Sequence, residues 1–141
     1  KPNMQGIARD LGMSRNDISD LFYYLEKAGM IAQLRQSTEG IALLGKVDKV
    51  YLNNTNLMYA MTPGNVNTED LMDTFFQNAI WGKHKIRIGD RGCTFLLDNQ
   101  YRFRLQNETP KRKSTDVIYV RSDKNIGDEQ VIPLWMFGLL Y

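Results

Sequence analysis

Between Ser14 and Ile31 the chain reads SRNDISDLFYYLEKAGMI, and the apolar spacing in this stretch constrains the fold more than any other feature of the sequence. Ile18, Leu21, Phe22, Leu25 and Ala28 recur at i, i+3, i+4 and i+7, which puts them on one face of an α-helix. Ser14 stands ahead of that helix as an N-cap, Asp17 three residues on supplies a weak form of the capping box, and Gly29 ends the helix. Upstream, NMQGIARDLGM sets Met4, Ile7, Ala8 and Leu11 on one face of a shorter helix. Gly12-Met13 then turns the chain sharply before Ser14, which is the grammar of a helix-turn-helix.

The segment after Gly29 is rich in β-formers. Ile31 to Arg35 and Ile41 to Leu44 flank the polar, glycine-ended turn QSTEG, and Val50-Tyr51-Leu52 is a further β-rich run. A hairpin directly after a helix-turn-helix outlines a winged helix, so residues 1–52 are expected to form a winged helix-turn-helix.

The remainder, residues 53–141, has a different organisation. Pro63-Gly64 breaks the chain, Asn67 or Thr68 caps a new helix, and Glu69 and Asp70 favour its dipole from the first turn. Leu71, Met72, Phe75, Phe76 and Ala79 make its apolar face. KIRI, CTFLLD, YRFRLQ and DVIYVR read as short strands, with Asp98-Asn99 as a tight hairpin turn. The apolar tail IPLWMFGLLY is too short to span a bilayer and is expected to pack on the sheet as a helix. Met58, Met61 and Met72, set among apolar neighbours at helical spacing, are read as core. The fold class is therefore α+β.

Composition and charge restrict the possible functions. The chain is 43% hydrophobic and 24% charged, outside the disordered range. One cysteine, Cys93, leaves no internal disulfide framework, and no apolar run is long enough for a membrane span or a signal peptide, so a cytoplasmic protein with no membrane partner is expected. Cys93 has no cluster of metal ligands around it in the sequence, and His84, the single histidine, has no nucleophile motif beside it. No cofactor or metal is expected. Residues 1–80 carry seven Lys and Arg against nine Asp and Glu, a charge of −2, whereas residues 81–141 carry eleven against seven, a charge of +4. Within the latter, Lys83 to Lys113 carries nine basic residues against three acidic ones, a charge of +6 that suits a phosphate backbone.

The run LEKAGMI closing the second helix, KVYLNNTNLMYAM after the wing, DTFFQNAI in the next helix and the closing IPLWMFGLLY occur here in that order. On these motifs, and over essentially its whole length, the chain resembles the C-terminal region of bacterial predicted AAA+-type P-loop ATPases. In that group the ATPase module is followed by a winged helix and a small restriction-endonuclease-like domain. The resemblance implies that residues 53–141 form a small α/β domain resembling a restriction-endonuclease-like fold. It also implies an ATPase, yet the sequence contains no GxxxxGK[ST] loop to cradle phosphates. Lys1 opens the chain abruptly, and the sequence is read as a fragment whose ATPase module, a natural partner, is missing.

The same resemblance tests a nuclease reading. Such sites need two carboxylates to hold a metal and a Lys to stabilise developing charge. Aligning the family's pattern on CTFLLDNQYRFRLQNE puts Thr94 at the first acid, Arg104 at the second and Glu108 at the Lys, so all three roles are lost. Asp90 and Asp98 lie nearby as turn or loop residues and are read as structural. The expectation is a nuclease-like shape without enzyme activity.

On the Ser14 to Ile31 helix, Arg15, Asn16, Ser19, Asp20, Tyr23 and Lys27 face away from the apolar side. Arg15, Asn16 and Ser19 suit base edges in a major groove. The helix is net −1, however, because Asp17, Asp20 and Glu26 outweigh Arg15 and Lys27. Gln33, Arg35, Gln36, Ser37 and Thr38 in the wing, and Lys111, Arg112 and Lys113 in the basic segment, complete the expected DNA contacts. The leading expectation is a non-catalytic DNA-binding module; the alternative is a protein-interaction module that docks on the ATPase part or forms a homo-oligomer, suggested by Tyr23, Tyr24 and the Met content.

Overall fold

The structure is a computed structural model that describes residues 2–36, 47–62, 64–90, 92–108 and 114–140. Local capping fixes its first elements. The Asn3 side chain accepts the Gly6 amide at 3.0 Å and opens α1 (Met4–Leu11). Gly12 closes it with a left-handed φ of 65°, its amide donating to Arg9 and that of Met13 to Ala8 in a Schellman arrangement. The capping box of α2 (Arg15–Lys27) is complete: Ser14 Oγ accepts the Asp17 amide at 3.2 Å, and Asp17 Oδ2 accepts the Ser14 amide at 3.0 Å. Gly29, with φ 70°, ends that helix as its sequence position implies.

Of the five apolar residues on α2, Ile18 alone is fully buried; Leu21 and Ala28 are exposed. The helix packs on α1 and on β1 (Ile31–Leu34), which covers only part of its apolar face. Glu26 anchors the strand to the helix by accepting both the backbone amide of Gln33, at 2.9 Å, and its side-chain amide, at 3.1 Å. The strand that pairs with β1 is β2 (Lys49–Leu52), antiparallel, with Ile31 opposite Leu52 and Leu34 opposite Lys49. The expected run Ile41 to Leu44 lies outside the described residues.

After a short helix α3 (Thr55–Met61), Asn67 caps α4 (Thr68–Ile80) by accepting the amides of Glu69 and Asp70. No residue of α3 is fully buried and Met61 is exposed, which corrects its reading as core: a seven-residue helix lying on α4 and β2 leaves its C-terminal residue in solvent. Met72 is core as expected. A five-stranded sheet follows in the order β3 (Ile86–Ile88), β4 (Phe95–Leu97), β5 (Tyr101–Leu105), β6 (Ile118–Arg121), β7 (Val131–Pro133). The first three strands form an antiparallel meander, and β5, β6 and β7 run parallel. Asp98 and Asn99 both adopt positive φ, 50° and 61°, and the Gln100 amide closes the turn onto the Leu97 carbonyl at 2.9 Å, as a primed hairpin turn requires.

The tail departs from expectation. Val131–Pro133 extends as the edge strand β7, and Leu134–Leu139 is a 3₁₀ helix that buries Leu134 and Phe137. Proline at the last strand position has no amide to offer a further neighbour and is tolerated at an edge. Phe76, Phe95, Phe103 and Phe137 centre the core between α4 and the sheet, and Leu34 and Tyr51 of the β1–β2 hairpin join the same cluster. The molecule is thus a mixed α+β fold built on a five-stranded sheet. Among the described residues no helix is long and apolar enough to cross a membrane.

The hairpin is also tied to α4 through a half-buried carboxylate. Asp73 Oδ2 accepts from Tyr51 Oη at 3.2 Å and from Lys49 Nζ at 3.3 Å. Burial pushes the Asp73 carboxyl above the usual carboxylate range, against the opposing pull of Lys49 and the hydrogen bonds it and Tyr51 donate. A carboxyl whose folded pKa is raised binds its proton more tightly in the folded state, so its stabilising contribution is full at low pH and is lost as pH rises from the usual carboxylate range through the raised value. The stability of Asp73→Asn relative to the unaltered chain should therefore climb as pH rises through that window. Urea unfolding across a pH series checks this, and a difference that stays flat or shrinks would mean that the Lys49 pair outweighs burial.

Candidate nucleic-acid interface

Strand alternation divides the sheet into two faces. Ile88, Phe95 and Phe103 lie in one row against α4. The next row, Arg87, Leu96 and Arg102, belongs to the opposite face, as does the pair Arg104 and Tyr119. Arg121 stands two residues beyond Tyr119 on β6 and shares that face. Among the described residues, the face away from α4 therefore carries four arginines.

Two of them have acidic partners. Arg102 Nη2 lies 3.6 Å from Asp90 Oδ1, and Arg121 grips Asp123 through two hydrogen bonds of 2.8 and 2.7 Å. Arg87 donates to the Asn99 side-chain oxygen. Arg104 is exposed, with Nη1 3.7 Å from where a Cβ on Gly92 would stand. Among the described residues, four arginines against Asp90 and Asp123 leave this face net +2, with the Arg121 side chain only 12% exposed. YRFRL, with its period of two, already implies that Arg102 and Arg104 share a face; the addition of Arg87 and Arg121 depends on pairing that the sequence does not specify.

Thr94 and Arg104 come together. The Thr94 amide donates to the Phe103 carbonyl at 2.8 Å and Thr94 Oγ1 accepts the Leu105 amide at 3.0 Å, which places Thr94 across from Arg104 at the start of β4. Glu108 is exposed beyond the end of β5. Among the described residues no group of three or more His, Cys, Asp or Glu side chains is placed to hold a metal ion. Cys93 is half-buried; burial pushes its thiol up while the Arg102 guanidinium pulls it down.

On α2, Arg15, Asn16, Ser19, Tyr23 and Lys27 are all exposed. Ser19 Oγ donates to the Arg15 carbonyl at 3.1 Å, and Lys27 Nζ sits 5.6 Å from the centre of the Tyr23 ring. Arg35 is half-buried where the hairpin meets the sheet, and its carbonyl accepts the Ile88 amide at 3.2 Å. The Gln33 side chain is occupied by Glu26 and the Phe22 carbonyl. Lys111, Arg112 and Lys113, with Ser37 and Thr38 of the wing, lie outside the described residues.

The environment of His84 is not legible in the sequence. Its Nδ1 lies 2.7 Å from Asp98 Oδ2, while Asp98 Oδ1 accepts the Lys85 amide at 2.9 Å. These two interactions, the backbone one foremost, hold the Asp98 carboxyl below the usual carboxylate range. The residues lie fourteen apart, and only the β3–β4 pairing brings them together. Comparison of the chain with protein-family models, with curated proteins and with solved structures finds no match.

Proposed function

We propose that the chain is a non-catalytic nucleic-acid-binding module that holds duplex backbone against the arginine-bearing face of its sheet. The observation that carries this reading is the register that gathers Arg87, Arg102, Arg104 and Arg121 on one face with a positive balance. In the same reading, residues 1–52 are a winged helix whose Arg15, Asn16 and Ser19 make secondary groove contacts. Residues 53–141 are a nuclease-like domain without its chemistry, and the whole is a module of an AAA+-type ATPase. The α4–β3–β4–β5 order with β6 added parallel to β5 supports that second part, as does the placing of Thr94 beside Arg104 where two metal-binding carboxylates would be needed. A cation in that position repels a divalent metal and attracts a phosphate.

The expected binding is weak, tolerant of sequence and steeply salt-dependent. Arg102→Ala/Arg104→Ala should weaken it and flatten the plot of log affinity against log salt by about two, one for each guanidinium removed. Fluorescence anisotropy with a labelled duplex at several salt concentrations measures both quantities. An unchanged slope in the double variant, or no binding at low salt, overturns the reading. So does Mn²⁺-dependent plasmid nicking that Asp90→Ala abolishes. A second reading, self-association or docking on the ATPase module, is favoured by the exposure of Leu11, Met13, Tyr23, Tyr24 and Met30 in and around the first two helices. Light scattering that shows a concentration-dependent dimer would shift the balance towards it.

A further inference from the structure

Where the chain enters β3, the segment Gly82 to Lys85 and the Asp98-Asn99 turn line an open pocket of about 540 Å³. We propose that this pocket is a docking site for a phosphate group, held by His84 and Lys85, with Asp98 as a positioning residue for His84. The duplex-binding face is not required for it, because a single phosphate ion fills the role assigned to the ligand.

The turn holds the site in shape. Asp98 adopts a positive φ, its amide donates to the Lys85 carbonyl at 2.8 Å, and its carboxylate accepts the Lys85 amide. The residue is thereby clamped to the start of β3 by hydrogen bonds in both directions. Its second oxygen then takes His84 Nδ1 at 2.7 Å, which fixes the ring and leaves Nε2 as the nitrogen able to serve a ligand. A carboxylate that orients an imidazole in this way settles which nitrogen is presented, at a surface position where a lone histidine would otherwise rotate.

The charge around the pocket is one-sided. Lys83 and Lys85 line it, Arg87 reaches the Asn99 side chain, and Asp98 is the only carboxylate among the lining residues. Lys83 Nζ donates to the Leu140 carbonyl, so its ammonium is held beside the pocket. Among the lining residues two lysines stand against one carboxylate, a formal balance of +1. A phosphate group is an anion throughout this pH range and offers strong acceptor oxygens, which suits a cationic lining and the donors of His84 and Lys85. A free phosphate ion and the 5′ end of a nucleic-acid strand both offer this chemistry.

His84 is the single histidine of the chain, so its imidazole C–H proton resonances report on this pocket without ambiguity. The experiment titrates the full chain with inorganic phosphate at about pH 6, with chloride at matched ionic strength as the control. The expected result is a saturable movement of the His84 resonances with phosphate and not with chloride. Lys85→Ala, at an exposed position, should weaken the apparent Kd about tenfold, the size of one charge-assisted hydrogen bond. Asp98→Asn should weaken it too while keeping the side chain's shape. Short duplexes with a 5′-phosphate or a 5′-hydroxyl end separate the sources: a response confined to the phosphorylated end assigns the site to strand ends, and an equal response to both, with inorganic phosphate still binding, assigns it to the free ion. Movement no larger than with chloride, or identical titrations for the unaltered chain and Lys85→Ala, overturns the proposal while leaving duplex binding by the arginine face to stand or fall separately.

Discussion

Phe76→Ala should lower the stability of the chain by about 3–5 kcal/mol, the range for deleting a buried phenyl ring. Phe76 is fully buried on α4, and its ring meets three others: Phe95 stacked at 5.2 Å, Phe103 tilted at 5.2 Å and Phe137 tilted at 4.6 Å. These partners come from β4, β5 and the C-terminal 3₁₀ helix. One truncation therefore opens a cavity at the point where three separate segments meet, and none of them can close it without abandoning its own contacts. The expected fall in Tm is roughly 10–20 °C for a chain of this size. Urea and thermal unfolding measure it; a loss below about 1 kcal/mol would show that the tail and the sheet collapse around the gap, contrary to the packing described.

Gly89→Ala should be the other severe substitution, costing about 1–3 kcal/mol by overpacking. A Cβ at Gly89 would stand 2.7 Å from the Cys93 carbonyl oxygen and 2.8 Å from both its carbonyl carbon and its Cβ, and backbone atoms cannot swing aside as a side-chain tip can. The obstacle is space. Gly89 lies at the neck of the turn that returns through Cys93 to Thr94, where its amide donates to the Thr94 carbonyl at 2.9 Å. Spreading that neck displaces Asp90 from Arg102 and Thr94 from Arg104, so duplex affinity should fall together with stability. Chemical unfolding paired with anisotropy tests this, and a variant that is destabilised yet binds normally would separate the turn from the arginine face.

The parts of the fold that were legible in the sequence are those fixed by neighbours in the chain. Ser14 with Asp17, Gly12, Gly29, Asn67 and the Asp98-Asn99 turn each act within a few residues, and each lies where its chemistry implied. Strands β3 to β6 and the helix carrying Phe76 were also readable, because a buried face imposes its period locally. Relations between distant segments were not. The apolar run before Tyr141 reads as one helix, since nothing local distinguishes Val131 to Pro133 as a strand until β6 is present to pair with it. The parallel placing of β5, β6 and β7 without described helices between them is equally silent, because composition does not record strand direction. For the candidate site, Arg102 and Arg104 were visible as an alternating pair, whereas Arg121 and the bond between His84 and Asp98 depend on that same long-range register.

The two borders of the sheet have a bearing on how copies of this chain can meet. At β3 the outward Ile88 amide is already engaged by Arg35. At β7 the backbone groups of Val131 face away from β6 and are both tied to Asp128, and Pro133 has no amide. Among the described residues, these contacts interrupt at each border the ladder of donors and acceptors that an incoming strand would use, the usual template for fibrils and strand exchange. Concentrated solutions should consequently resist cross-β polymerisation. Any dimer that forms should be held by side chains such as Tyr24 and Met30, and should dissociate in mild detergent as a strand-swapped assembly would not.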